Sequence, residues 1–198
     1  MSIGIIGAGS IGQATATLLA RAGVPAVIAN SRGPESLRDL TDRLGPSITA
    51  ATPTEAAKAD LVFVAVNWSK LPAALKGLDL AGKILVDANN PIEAPLFKPV
   101  DLGGQASSSV VASLAPGARV VKAFNHLTAA VLSGDPQAEG GRRVLFYAGD
   151  DAGAKATVAQ LIDQLGFAGI DLGTLDGGGR LSQFPGGPLP TLNLVKFG

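Results

Sequence analysis

An apolar run over residues 2–6 (S-I-G-I-I) breaks at once into Gly7-Ala8-Gly9-Ser10-Ile11-Gly12, and residues 10–22 then read as an alanine- and leucine-rich helix stopped by Gly23. A strand that must turn straight into a helix needs glycine at fixed places. Gly7 allows the tight turn, Gly9 leaves the backbone open to close approach, and Gly12 lets the helix lie against its strand. A chain that begins this way is committed to parallel strands joined by crossover helices, with helices on both faces of the sheet.

The rest of the chain agrees. A second strand is expected over residues 24–30, an amphipathic helix over 35–44 with Leu37, Leu40 and Leu44 at helical spacing, a brief third strand over 47–50 and a short helix over 53–59. Residues 61–66 (L-V-F-V-A-V) form a continuous apolar run of strand length, as a strand covered on both faces requires. Further strands are expected at 84–87, 120–124, 143–148 and 169–173, and helices at 107–114 and 151–165. In the last helix Ala154, Val158, Leu161, Ile162 and Leu165 share one face. The predicted class is α/β, a Rossmann-type doubly wound, mostly parallel sheet with a small C-terminal extension. The tail from Asp176 (D-G-G-G-R-L-S-Q-F-P-G-G-P) is either a mobile loop or a segment packed across a ligand or a second subunit.

Free N–H groups and the dipole at a helix start favour an anion, and a strand–GxGxxG–helix turn is a recurrent seat for a dinucleotide diphosphate. Gly7, Gly9, Ser10, Ile11 and Gly12 are therefore expected to bind pyrophosphate, within a dinucleotide-binding part at residues 1–124. Residues 125–198 are expected to complete one compact unit as a small α/β portion. The end of the second strand decides which dinucleotide binds. Sites for NAD place Asp or Glu about 20 residues beyond the glycines, to bond the ribose 2′-OH. Here the residue is Asn30, followed by Ser31 and Arg32. No carboxylate repels a 2′-phosphate, Arg32 offers a planar fork and Ser31 a hydroxyl, so NADP(H) is the expected coenzyme. Two more strand ends border the nicotinamide position. After Val66 and Asn67, Trp68 either walls a ring pocket or simply packs. After Ala88, the amides of Asn89 and Asn90 either bond the coenzyme or serve turn chemistry before Pro91.

Composition narrows the chemistry. The chain has 198 residues, with 16 basic and 16 acidic side chains, one histidine and no cysteine. Disulfides, thiol catalysis, iron–sulfur ligation and zinc–cysteine sites are excluded, and a single histidine makes no metal cluster, so no metal is expected. Balanced charge argues against nucleic acid as the main partner. The longest uncharged run, residues 102–118, is broken by glycines, a glutamine and four serines, which leaves no bilayer span in it. With no basic segment or small-residue cleavage site after Met1, a cytoplasmic protein without membrane association is expected. His126, which follows Asn125 at the end of the sixth strand, is either a proton donor or a structural residue. No Ser/His/Asp set, Lys–Tyr pair or carboxylate dyad stands out. Hydride transfer between conjugated rings depends on stacking and alignment more than on a protein acid, and suits such a cleft.

These residues carry a family likeness. The chain resembles the NADP oxidoreductases dependent on the deazaflavin coenzyme (8-hydroxy-5-deazaflavin, coenzyme F-420), and is similar to the NADPH-binding reductase domain of the six-transmembrane ferric reductases. The likeness runs over nearly the whole chain, through G-I-I-G-A-G-S-I-G from Gly4, N-S-R from Asn30, V-N-W from Val66, V-V-K-A-F-N from Val120, G-D-D from Gly149, G-F from Gly166 and D-L-G-T-L from Asp171. It implies a homodimeric or loosely associated reductase in which Ser31 and Arg32 hold the 2′-phosphate and residues 66–68 with Ala88 and Asn89 lie beside the nicotinamide. A small-molecule acceptor, a deazaflavin or flavin, would lie near Asn125, His126 and the Phe184-Pro185 segment of the tail. Where the family adds a further cation four residues after the arginine, this chain has Ser36, with Arg38 the nearest substitute. It has Asn67 in place of a family proline and Asn125 in place of a family histidine.

The expected function is hydride transfer between NADP(H) and a flat cyclic acceptor. A catalytically silent NADPH-binding sensor or subunit is the reading from another class. An imine reductase of the pyrroline-5-carboxylate type ranks lower, because too few residues remain to build its helical domain.

Overall fold

Apolar runs become strands and the glycine breaks between them become turns. The computed structural model describes residues 1–93 and 96–198. In chain order its elements are β1 (Ile3–Ile6), α1 (Ser10–Arg21), β2 (Ala26–Ala29), α2 (Arg38–Leu44), β3 (Ile48–Ala51), α3 (Pro53–Ala56), β4 (Leu61–Val64), α4 (Leu71–Leu75), β5 (Ile84–Asp87), β6 (Ile92–Glu93) and β7 (Lys98–Pro99). There follow α5 (Ser107–Leu114), β8 (Arg119–Ala123), α6 (Ala129–Leu132), β9 (Gln137–Ala138), β10 (Gly141–Gly149), α7 (Ala152–Gln164), β11 (Ala168–Asp171), α8 (Gly178–Ser182) and β12 (Val195–Lys196).

The main sheet runs β11-β10-β8-β5-β4-β1-β2-β3, with β9 and β12 attached to β10. Neighbours from β8 to β3 are all parallel, while β10 is antiparallel to β8 and parallel to β11. This is the Rossmann-type, doubly wound, mostly parallel arrangement. The chain winds through β2 and β3 on one side of β1, then through β4, β5 and β8 on the other. That reversal opens a crevice beyond the carboxyl ends of β1 and β4, where ligands of open α/β sheets bind.

Alternate side chains point to opposite faces. Ile5, Ile28, Phe63 and Val86 pack with Leu18 and Leu19 of α1 and Val158 of α7. Ile6, Val62, Val64 and Leu85 pack on the other face against Leu71, Leu75 and Val111. Covering on both faces is why β4 is buried and apolar at every position.

One row of the second face is not apolar. Register sets Ile6 beside Val64, Val64 beside Asp87 and Asp87 beside Lys122. Neither of the two charged side chains has any solvent exposure, and Lys122 Nζ lies 3.2 Å from Asp87 Oδ2. Lys122 also donates to the Asn89 carbonyl at 2.9 Å, and Ser108 Oγ of α5 donates to Asp87 Oδ2 at 2.5 Å. Asp87 Oδ1 accepts from Asn89 N at 3.0 Å and from Asn89 Nδ2 at 2.8 Å. Burying an ion costs several kcal/mol, and only a close partner with further hydrogen bonds offsets it.

Several elements differ from the sequence expectation, the short β6, β7, α6, β9 and β12 among them. The 3-10 turn Trp68–Lys70 and α4 fill a stretch too short to show a helical period, with Pro72 seated in the first turn. β10 begins at Gly141, because β9 and β12 pair with its start. The glycine-rich tail forms α8, and glycine serves close packing there: a Cβ on Gly178 would lie 2.1 Å from the Leu172 carbonyl oxygen. Among the described residues no helix is long and apolar enough to cross a membrane.

Removing one partner of a buried pair leaves the other charge uncompensated. Lys122→Met should lower the unfolding free energy by about 3–5 kcal/mol in urea denaturation. Adding Asp87→Asn should restore at least half of that loss. Losses that simply add would mean the two side chains do not act as a pair.

Candidate functional site

The loop after β1 forms the base of the site. Gly7 has φ of +113°, and a Cβ there would lie 2.1 Å from the Ala65 carbonyl oxygen, so only glycine lets this turn pass the end of β4. A Cβ on Gly12 would lie 1.9 Å from the Gly7 carbonyl oxygen, which brings α1 against its own turn. A Cβ on Gly9 would have no atom within 4 Å, so the backbone there is open. No side chain caps α1 at Gly9. An uncapped helix start is a natural seat for an anion.

The loop after β2 forms one wall. Asn30 is buried; its Oδ1 accepts from Arg32 N at 2.8 Å and its Nδ2 donates to Ser36 Oγ at 2.9 Å. Asn30 thus shapes the turn that presents Ser31 and Arg32, both exposed. Among the described residues no ion pair holds Arg32. Arg38 pairs with Glu35 at 2.6 Å, and Ser36 is engaged by Asn30.

A cleft of about 540 Å³ runs along these loops and brings together Gly7, Gly9, Asn30, Ser31, Arg32, Val66 and Asn67. Pro53, Ala73, Ala74 and Leu78 supply an apolar side. Ser10, Ile11 and Gly12 belong to α1 behind the loop, and Ser10 lines a separate groove with Gln13 and Ser133. Trp68, Ala88 and Asn89 do not line the cleft. Trp68 is buried with Leu71 and Leu75 on the sheet, so it packs rather than walling a ring pocket. Asn89 is buried as a clamp: its Oδ1 accepts from Val66 N at 2.8 Å and its Nδ2 donates to the Val64 carbonyl at 3.0 Å. Its amide is used on the backbone of β4, so Asn89 positions the cleft floor and has no donor left over.

A second group gathers at the end of β8. Phe124 has φ of +61°, and its ring meets Phe63 edge-on with centroids 5.1 Å apart. Left-handed backbone at a bulky residue costs on the order of 1–3 kcal/mol, which this packing offsets. The chain turns there, and Asn125 Nδ2 donates to Asn90 Oδ1 at 3.0 Å and to the Ser182 carbonyl at 2.7 Å. Asn90 Nδ2 donates to the Asn125 carbonyl at 2.8 Å, and Phe184 N donates to Asn90 Oδ1 at 3.0 Å. Asn125, Asn90 and the segment before Pro185 therefore form one group, with Phe184 exposed and Asn125 Oδ1 buried without a partner.

His126 stands apart. Its side chain is 1% exposed and its ring lies 4.8 Å from that of Phe146, centroid to centroid. Neither ring nitrogen has a partner in hydrogen-bond geometry. Burial lowers its pKa from 6.5 to about 4, and the nearby Val144 backbone offsets this only in part. Thr191 N of the tail donates to its carbonyl at 2.7 Å. Uncharged near pH 7, the ring carries no imidazolium proton, and the structure places it in the core beside Phe146 rather than at the cleft.

The family model described as NADP oxidoreductase, coenzyme F420-dependent, matches residues 2–91. A protein of Arthrobacter sp. FB24, assigned as an F420-dependent NADP-reductase, is 31% identical with a TM-score of 0.74, over 87% of this chain and 85% of that one. The chain belongs to the coenzyme F420-dependent NADP oxidoreductase family. A hypothetical protein of Sinorhizobium meliloti is 50% identical with a TM-score of 0.93, over 99% of this chain and 96% of that one. The metalloreductase STEAP3 of Rattus norvegicus is 35% identical over 96% of this chain, which spans only 37% of that relative. A reductive aminase of Aspergillus terreus, at 21% identity and a TM-score of 0.64, shares the fold. Family membership makes the chain an NADP-dependent oxidoreductase, with NADP(H) as its coenzyme class.

Two features of this family member went unread in the sequence, the Asp87–Lys122 pair and the Asn90 hub. A lysine inside the apolar run V-V-K-A-F was the available signal, since a buried lysine needs a partner.

His126 is the chain's one histidine, so its titration can be read alone. Between pH 6.5 and about 4 the unfolded chain binds a proton that the folded chain refuses, so stability falls as pH drops through that window. Urea unfolding should show a loss of about 2 kcal/mol between pH 7 and pH 5, absent in His126→Leu. Equal slopes in both proteins would contradict the burial of His126.

Proposed function

We propose that this protein transfers a hydride between NADP(H) and a flat cyclic acceptor, with a deazaflavin the first choice and a flavin the second. The observation that carries this is a cleft joining the open glycine loop to Ser31 and Arg32 with no carboxylate along it. Gly9 and the start of α1 hold the diphosphate through backbone N–H groups, while Gly7, whose N–H donates to the Ala29 carbonyl at 2.9 Å, shapes the turn. Ser31 and Arg32 hold the 2′-phosphate, Arg32 through its planar fork. Val66 and Asn67, fixed by Asn89, support the nicotinamide end. Asn125, Phe184 and Pro185 border the acceptor, which lies across the strand ends from the coenzyme. When bound, the coenzyme supplies a hydride from its reduced nicotinamide, and the proton that completes reduction of the acceptor comes from solvent. With His126 sealed away, the protein's contribution is alignment of two rings.

The 31% identity to a protein assigned as an F420-dependent NADP-reductase supports the deazaflavin. The partner is then a small molecule rather than nucleic acid or membrane, and the setting cytoplasmic. The 35% identity to STEAP3, of which this chain spans 37%, favours one other reading, an NADPH-binding unit without turnover of its own.

Anaerobic mixing of the protein with NADPH and the deazaflavin coenzyme tests the choice, with free flavin as a control. Loss of the deazaflavin absorbance band with NADPH, and little with NADH, is the expected result. Tight NADPH binding without bleaching of either acceptor would support the silent unit instead.

A further inference from the structure

The cleft that holds Ser31 and Arg32 has a further wall. It is built by the 3-10 turn Trp68–Lys70, by α4 and by the residues just after that helix. Both Lys70 and Lys76 line the same cleft as Ser31 and Arg32, and among the described residues no Asp or Glu lines it. Among the described residues neither lysine takes part in an ion pair.

Charge balance gives these lysines a task. A phosphate monoester carries about −1.5 to −2 charge near neutral pH, so a single arginine neutralises only part of it. In the segment that follows Arg32, Arg38 lies in an exposed pair with Glu35 at 2.6 Å and does not line the cleft. Among the described residues the further positive charge in the lining is that of Lys70 and Lys76. Pro53, Ala73, Ala74 and Leu78 give the same cleft an apolar side suited to a purine ring. An adenosine seated against that side would have its ribose phosphate within a lining whose cations are Arg32, Lys70 and Lys76. Lysine, a compact charge on a flexible stem, can reach a phosphate without the fixed fork geometry that arginine imposes.

We propose that Lys70 and Lys76 form the opposing half of the 2′-phosphate site, so that preference for NADP(H) over NAD(H) is set from both walls. This rests on the cleft being the NADP(H) site. Both side chains are exposed, so their replacement leaves the core intact.

Calorimetric titration with adenosine 2′,5′-bisphosphate and adenosine 5′-monophosphate isolates the one phosphate that matters. Lys70→Gln/Lys76→Gln should lower the preference for the bisphosphate at least 10-fold, leave monophosphate affinity nearly unchanged, and flatten the salt dependence of bisphosphate binding. An unchanged preference, or equal losses for both ligands, would overturn the assignment. Arg32→Ala is the control. If the native protein shows no preference and Arg32→Ala changes nothing, the coenzyme site itself is wrongly placed. If Arg32→Ala abolishes a preference that the double lysine variant keeps, only the role of the lysines fails.

Discussion

Two full charges sit where the sheet would otherwise be apolar, and the geometry of the cleft descends from them. Asp87 and Lys122 are register partners on neighbouring parallel strands, without solvent exposure and 3.2 Å apart. The pair survives burial because each charge has further partners: Ser108 and Asn89 on the carboxylate, the Asn89 carbonyl on the ammonium. Asn89, held on both its amide and its carbonyl, clamps the backbone of Val64 and Val66. The end of β4 is thereby locked to the end of β5, and the residues just after β4 form the floor of the cleft. A buried ion pair is weak evidence for stability in general, yet here it also sets where backbone atoms lie.

The glycine loop needs that floor. Gly7 passes so close to Ala65 that neither segment can shift without the other. On the far side of β5, Phe124 turns out of β8 in a left-handed conformation and carries Asn125 to Asn90, where the tail is fastened. The polar residues near the strand ends thus divide into two kinds. Asn30, Asn89, Asn90 and Asn125 are committed to backbone and to one another, and they shape loops. Among the described residues the side chains of Ser31, Arg32, Lys70 and Lys76 have no such commitments, and all four line the cleft.

That division explains what could be read from the chain alone. The strand–glycine–helix opening and the N-S-R turn were legible because their chemistry is local, set by spacing within a few residues. The doubly wound sheet was legible because apolar runs alternate with amphipathic ones. Exposure was not legible. Trp68, Asn89 and His126 all follow strands on the ligand side, as expected, but whether a side chain there meets solvent depends on what covers it. Trp68 is turned inward by a 3-10 turn too short to show a period, and the His126 backbone is held by Thr191, far along the tail. Lys122 and Asp87 meet only through strand register, which no local pattern displays.

The proposed function stands on NADP(H) lying in this cleft, held by its diphosphate at the α1 start and by its 2′-phosphate at the Ser31–Arg32 turn. A crystal structure of the protein with NADP+ would show whether it does. The expected result is diphosphate oxygens within hydrogen-bond distance of backbone N–H groups between Gly9 and Gly12, and the 2′-phosphate within reach of Ser31 and Arg32. A dinucleotide bound elsewhere, or a 2′-phosphate pointing into solvent away from Arg32, would contradict it.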